Sequence, residues 1–373
     1  MKYRKLGKTG VEVSEIGMGL EHLLPHTRSR ISETIKTAVD GGVSYFDCHP
    51  GHDYKPEAIE YAGFEKLGKA LEKIREKVSL SYIAHGWTRE AGKIKPRFEY
   101  FVKTLKTDYA DVFMIQFCDK IKDYECITGE SGLLEYAKNL RLKGSVRSVG
   151  IATHSSEVAL KAVFSGDFDV IMYPVNPAFD VVVDGEDFDT DNLDTLWSAA
   201  GKVQNIKKNN TQPRKNVYSE CEKNGVGIIA MKPFGGGFIF KNEGFSPLNL
   251  IAYALTQNGV STVVPGCQNP DEIKEILTFY SASPEKLDFS GAILNSRWSI
   301  KGNCQYCHHC LPCAADIKIG FVNRMTDNKD IKGYNALAVK ASACSKCGEC
   351  ETRCPFDVDI RGKMETAVKM FEN

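Results

Sequence analysis

The chain has 373 residues, 42% of them hydrophobic, and its 48 Lys and Arg side chains balance 48 Asp and Glu. At about 150 residues per domain this length allows two to three domains, or one barrel of roughly 250 residues with a small module attached. Zero net charge excludes bulk electrostatic recruitment of nucleic acid or of an anionic membrane. The opening MKYRKLGKTG has no apolar segment behind it, and runs such as Val112 to Ile115 are far short of the roughly 20 residues that cross a bilayer. A cytoplasmic protein without membrane insertion is therefore expected.

Taken in chain order, Tyr3 to Leu6 and Val11 to Val13 flank a Gly7 to Gly10 turn and predict a hairpin closing a barrel bottom. Eight apolar, β-branched runs follow: Ser14 to Met18, Val43 to Asp47, Val78 to Ile83, Asp111 to Phe117, Val146 to Ala152, Val170 to Tyr173, Gly227 to Met231 and Ser261 to Val264. Runs this apolar suit strands buried on both faces, and the segments between them, such as Glu57 to Lys77 and Pro270 to Ser281, are long enough for crossover helices. Eight such units in about 270 residues predict an α/β fold, a (β/α)8 TIM barrel, over residues 1–298. An open doubly wound sheet is the alternative, but no GxGxxG follows the first run. After the sixth run, seven acids between Asp180 and Asp194 and a basic stretch from Lys202 to Lys215 make a long connection, either a lid or partner contact or a solvated insertion.

Eight of the 13 cysteines lie between Cys304 and Cys354 and define a second unit, residues 299–373. Cys344, Cys347, Cys350 and Cys354, followed by Pro355, form CxxCxxCxxxCP, the bacterial ferredoxin run whose fourth cysteine serves the neighbouring cluster. Cys304, Cys307, Cys310 and Cys313 make a similar quartet with one residue fewer before its last member. By that logic one [4Fe-4S] cluster takes Cys304, Cys307, Cys310 and Cys354, and the other takes Cys344, Cys347, Cys350 and Cys313. Zinc is the alternative, but tetrahedral sites use two pairs rather than two quartets. His308 and His309 are then surface residues or lie beside the ligands. Helical segments between Ile317 and Lys340 and an apolar stripe of Ile360, Met364, Val368 and Phe371 complete a small α-helical ferredoxin-like domain.

All six remaining histidines, His22, His26, His49, His52, His85 and His154, fall just after predicted strands, as do Cys48, Cys118 and Cys267. Barrel enzymes place their chemistry at those strand ends. Here the residues resemble a known family. YRKLGKTGVEVSEIGMG, GGVSYFD, TDYADVFMIQF, GSVRSVGIATHS, GVGIIAMKPFGGG and GVSTVVPGCQNPDEI together resemble the aldo/keto reductase superfamily, in its branch with a carboxyl-terminal ferredoxin-like 4Fe-4S domain. The resemblance implies hydride transfer from a nicotinamide cofactor to a carbonyl, assisted by an Asp, Tyr, Lys and His tetrad.

Carried across position by position, Asp47 matches the family aspartate, His52 stands at the tyrosine position with Tyr54 two residues on, Ile83 replaces the lysine with His85 nearby, and Gln116 replaces the histidine. A phenol without neighbouring cations is a poor acid at neutral pH, so His52 or His85 is the expected proton donor, oriented by Asp47. The cofactor cradle is expected at Gly235, Gly236 and Gly237 and at Gly266, Cys267 and Gln268, where a helix start would hold a pyrophosphate. Ala152 and Thr153 stand where the family has a Ser-Asn pair for the nicotinamide amide, and Glu272 where it has an arginine for the 2′-phosphate. NAD is thus permitted, NADP is disfavoured, and the sequence does not decide on a flavin. Three functions follow: an iron–sulfur oxidoreductase acting on a small molecule with an electron-carrying partner protein, an ordinary NAD-dependent carbonyl reductase, or a non-catalytic electron-transfer subunit.

Overall fold

A computed structural model of the chain describes residues 1–49, 59–84, 88–181, 212–296, 302, 304, 308, 310–354 and 357–372. The hairpin forms where its glycines allow it: β1 (Tyr3–Lys5) pairs antiparallel with β2 (Glu12–Ser14), and Gly7 and Gly10 turn the chain with positive φ. Gly7 packs so close to Gly227 that a Cβ there would sit 2.4 Å from its backbone nitrogen. The hairpin buries Leu6, Val11 and Val13 beneath Tyr45, Ile83, Val112 and Met114, so it stops the barrel at the end where strands begin.

Eight parallel strands follow: β3 (Met18–Gly19), β4 (Tyr45–Cys48), β5 (Ser79–Ala84), β6 (Ala110–Ile115), β7 (Val146–Ala152), β8 (Val170–Pro174), β9 (Gly227–Met231) and β10 (Val260–Val263). Each pairs with the next in chain order. Bridges from Ile16 to Val263 and from Gly19 to Gly266 bring the first strand against the last and close the ring. Two runs, Val146–Ala152 and Gly227–Met231, match the sequence reading residue for residue. The first strand is shorter than its run, because Ser14 belongs to the hairpin and hydrogen-bonds Ser44 instead.

Helices cover the outside: α1 (Arg28–Asp40), α2 (Ile59–Leu71), α3 (Ala91–Thr104), α4 (Ile121–Thr128), α5 (Leu133–Leu142) and α6 (Ser156–Ser165). After residues 182–211, which hold most of the acidic and basic connection and lie outside the described residues, come α7 (Gln212–Asn224), α8 (Pro247–Thr256) and α9 (Pro270–Leu277). Local chemistry starts and ends them. Ser155 caps α6 through the Val158 amide and Gly166, at φ 72°, ends it. Ser246 and Asn249 form a reciprocal cap on α8. No helix among the described residues is long and apolar enough to cross a membrane.

The carboxyl-terminal segment is helical as its sequence indicates: α10 (Ile319–Asn328), α11 (Ile331–Ala336) and α12 (Ile360–Phe371). Ile319, Val322, Tyr334, Ile360 and Met364 form one apolar core with Tyr253 and Phe289 of the preceding segment. A polar seam joins the same parts. Asn328 Oδ1 accepts from Ser219 Oγ (2.5 Å) and Asn258 Nδ2 (2.6 Å), while its Nδ2 donates to Glu222 Oε2 (2.8 Å).

Beneath that seam lies Asp180, buried past the end of β8. Its Oδ1 accepts from Arg214 Nε (3.1 Å) and Tyr218 Oη (2.5 Å), and its Oδ2 from Tyr253 Oη (2.6 Å). Arg214 also donates to the Pro174 carbonyl and covers the Tyr173 ring at 4.2 Å. One carboxylate therefore ties α7 and α8 to β8. Removing it would leave a buried guanidinium without its counter-charge, a loss of about 3–5 kcal/mol. Asp180→Ala is accordingly expected to lose about that much in denaturant unfolding, with Asp180→Asn losing less; an unchanged midpoint in Asp180→Ala would refute this role.

Candidate active site and cysteine-lined cavity

The carboxyl ends of the strands carry the candidate chemistry. In β4 the side chains alternate, so Tyr45 and Asp47 share the inward face. Asp47 is buried and accepts a hydrogen bond from Ser81 Oγ at 2.7 Å. Burial, with Glu21 adding to it and Ser81 opposing it, pushes this carboxyl up to about 7. Burial and the nearby Asp47 likewise push the Tyr45 hydroxyl well above its ordinary value. His52, Tyr54 and His85 lie outside the described residues. Among the described residues, Ser81 is the hydrogen-bond partner of the Asp47 side chain.

Gln116 follows β6 directly, and its backbone carbonyl accepts from Arg89 Nη1 at 2.6 Å while its side-chain Oε1 is buried without a hydrogen-bond partner. His49 Nδ1 stands 3.8 Å from Glu21 Oε1. His26 bridges Arg30 Nη1 and Gln268 Oε1, at 3.3 Å each. The thiols of Cys48, Cys118 and Cys267 turn into the apolar core, where burial raises each of them. Among the described residues no three His, Cys, Asp or Glu side chains converge on one metal ion.

Two features of the mouth escaped the sequence reading. Past β7, His154 Nδ1 lies 3.1 Å from Asp119 Oδ2, and Asp119 Oδ1 also accepts from the His154 amide (2.5 Å) and Thr153 Oγ1 (3.1 Å). Burial alone would raise Asp119, but the imidazole and these hydrogen bonds outweigh it and hold the carboxyl below its usual range. Past β9, Lys232 takes a left-handed backbone (φ 52°) and its carbonyl accepts from Asn176 Nδ2 (2.8 Å). Burial pulls its ammonium down, while Glu21 and Asp119 draw it back up. The one legible signal for either was an ionisable residue at a strand end, since their partners are 35 or more positions away.

The expected cradle residues are placed as follows. Gly235, Gly236 and Gly237 all have positive φ, which a side chain would strain, and they lead the chain out of β9 in a tight coil. Gly266 faces His22, whose ring carbon would be 3.0 Å from any Cβ there. At α9 the Asn269 side chain accepts from the amides of Asp271 and Glu272, both at 3.0 Å, and Glu272 accepts from Gln268 N (2.8 Å) and Asn269 Nδ2 (2.7 Å). Those helix-start amides are already engaged by protein. The cleft of about 750 Å³ between α1 and α9 is lined by Glu33, Asp271, Glu272 and Glu275 against Arg30.

In the carboxyl-terminal segment, Cys313, Cys344, Cys347 and Cys350 line a single cavity of about 250 Å³ together with Ile317, Ile319, Met364 and Arg353. Cys347 is exposed and Cys350 buried. On the other side, Cys304 Sγ accepts from Asn323 Nδ2 at 3.4 Å, and its carbonyl accepts from Lys215 Nζ of α7 at 3.1 Å. Arg353 Nη2 donates to the carbonyls of Cys310 (3.1 Å) and Pro312 (2.7 Å). Cys307 and His309 lie outside the described residues, and His308 is exposed beside Phe321.

A closed ring of eight parallel strands, with a buried aspartate one residue before the end of the second, is an α/β barrel. The pattern of the aldo/keto reductase family matches residues 15–249, and the chain belongs to that family of oxidoreductases. It is 28% identical over 166 residues to aldo-keto reductase YhdN of Bacillus subtilis (strain 168), covering 42% of this chain and 48% of that protein. The chain thus spans about half the length of this curated relative. Aldo-keto reductase AKR11C1 from Bacillus halodurans shares the fold at 17% identity, with a TM-score of 0.56 in its holo form and 0.51 in its apo form. Each comparison covers 77% of this chain and 94% of that one.

Because Asp47 binds its proton more tightly when folded, it favours the folded state fully below the ordinary carboxyl range, and that contribution is lost as pH rises through about 7. Asp47→Asn, which keeps an acceptor for Ser81, is therefore expected to gain stability relative to wild type at pH 8 and little at pH 4, with a ceiling of about 4 kcal/mol at roughly 1.4 kcal/mol per pH unit. Thermal unfolding at both pH values checks this; an equal effect at both would mean that the carboxyl titrates normally.

Proposed function

We propose that the protein is an iron–sulfur oxidoreductase built on the aldo/keto reductase barrel. Residues 299–373 would hold two [4Fe-4S] clusters, which would supply one-electron transfer, and the strand ends of residues 1–298 would receive a small-molecule substrate. The observation that carries this reading is the cavity walled by Cys313, Cys344, Cys347 and Cys350, the four thiols that the sequence spacing gives to one cluster. A zinc ion needs its sulfurs drawn to about 2.3 Å from one point. Here the four residues line a void of about 250 Å³, and among the described residues no three such side chains converge on a single ion.

The second cluster would take Cys304, Cys307, Cys310 and Cys354. Asn323 supports it by donating to the Cys304 sulfur, and Lys215 adds a cation beside the same residue. When bound, such clusters supply one-electron transfer at potentials between about −700 and +450 mV. The exposed Cys347 puts the first of them nearest to solvent and so to an electron-carrying partner protein. Asp180, Tyr218 and Tyr253 join the helices under this module to β8 without a break in hydrogen bonding. Protein purified without oxygen is expected to contain about eight iron and eight sulfide per chain, and Cys347→Ser about half of each. Cys126→Ser, an exposed thiol outside the quartets, should change neither. Stoichiometric zinc, or no metal at all, would end this reading.

A second reading, nicotinamide-dependent carbonyl reduction, is favoured by the three positive-φ glycines after β9 and by the cleft beside α9. A bound nicotinamide would supply hydride, with Gly235 to Gly237 and Gln268 lining its site. Four carboxylates against Arg30 in that cleft oppose a 2′-phosphate, so NAD fits and NADP does not. Titration calorimetry is expected to give NADH an affinity at least about tenfold above NADPH, roughly 1.4 kcal/mol, and Glu272→Arg should narrow or reverse the gap. Failure to bind either nucleotide would remove this second reading and leave the first standing.

A further inference from the structure

The structure contains a carboxylate–imidazole pair at the barrel mouth, and the following rests on the second, nicotinamide-dependent reading. We infer that His154, held by Asp119, is the group that exchanges a proton with the substrate oxygen.

Three observations carry it. The first is position: His154 follows β7 and Asp119 follows β6, so both sit at the end of the barrel where strands finish. The second is the geometry of the pair. Asp119 accepts from the His154 amide, from Thr153 and from the ring Nδ1, so one carboxylate fixes backbone and ring together. The ring is further held by Phe117, stacked at 6.4 Å between centroids and 27° between planes. The third points to a ligand: with Nδ1 engaged, the opposite nitrogen, Nε2, is buried without a hydrogen-bond partner. An imidazole ring 4% exposed, oriented by a carboxylate and with its second nitrogen unused, has the form of a general acid awaiting an oxygen.

The neighbouring strand explains the need. Gln116 occupies the place of the family histidine, and an amide side chain cannot titrate. In the proposed step the imidazolium would give its Nε2 proton to the carbonyl oxygen as the carbonyl carbon receives the hydride that a reduced nicotinamide nucleotide would supply. One N–H bond and one nicotinamide C–H bond break, one O–H bond and one substrate C–H bond form, the nucleotide is left oxidised, and neutral imidazole remains to be reprotonated from water. Among the described residues, the charges facing the pair are Asp119 itself, Lys232 past β9, Glu21 beyond that lysine, and Arg89, whose guanidinium binds the carbonyls of Gln116 and Phe117. Cys118, between Gln116 and Asp119, keeps its proton because burial pushes it up to about 12.

The test uses the full chain and two independent readouts. Nitrogen-15 NMR of the labelled histidines is expected to show His154 protonated on Nδ1 in its neutral form, with Nε2 shifting when 4-nitrobenzaldehyde is added. In Asp119→Asn that tautomer preference should be lost. NADH-dependent reduction of the same aldehyde should fall about 100-fold or more in kcat in His154→Gln, with KM within about threefold, and the limb of the pH–rate profile set by the acid should disappear. An Nε2-protonated tautomer, an Nε2 signal indifferent to the aldehyde, or an intact pH profile in His154→Gln would each overturn the assignment. Should wild type turn over no aldehyde at all, nicotinamide-dependent reduction fails, and the NMR result still decides the role of His154.

Discussion

Asp180 holds a negative charge where water does not reach it, and three donors from two helices converge on that charge. A carboxylate so placed fixes geometry more than it adds stability, because desolvation cancels much of the attraction. What it fixes matters to both halves of the molecule. Tyr253 belongs to the apolar core shared with α10, α11 and α12, while Arg214 reaches the Pro174 carbonyl at the end of β8. The amide of Asp180 donates to the Asn176 carbonyl at 3.1 Å, and Asn176 in turn grips the carbonyl of Lys232. The packing of the cysteine segment and the position of a mouth lysine thus depend on one buried ion.

At the mouth, burial and hydrogen bonding set the state of two carboxylates. Burial raises Asp47 to about 7 against the opposing hydrogen bond from Ser81, so it is only partly ionised at neutral pH. Asp119 keeps its charge because three hydrogen bonds and an imidazole stabilise it. Two carboxylates a few strands apart are thereby driven in opposite directions by their surroundings, which is the usual way that one site separates acid from base roles. Lys232 contributes a cation from β9, far along the ring from the strand that carries the family lysine.

Most of the barrel was legible in the sequence because its signal is local. Runs such as Val146–Ala152 and Gly227–Met231 are bounded by turn residues, and buried parallel strands leave little choice about which residues they include. The hairpin and the cap of α9 at Asn269 are equally local. Four cysteines of the two closely spaced runs share a cavity wall. The pairing of Asp119 with His154 was not legible, since it joins residues 35 positions apart across two strand ends. His52, Tyr54 and His85 remain expectations of the sequence alone.

The central claim is that electrons reach this barrel through iron held by its cysteine segment. Anomalous diffraction at the iron absorption edge, from crystals grown without oxygen, tests it most directly. The account predicts a compact, multi-iron peak inside the cavity bounded by Cys313, Cys344, Cys347 and Cys350, and a second beside Cys304, Cys310 and Cys354. A single peak at the zinc edge, or no anomalous signal from either cysteine group, would contradict it.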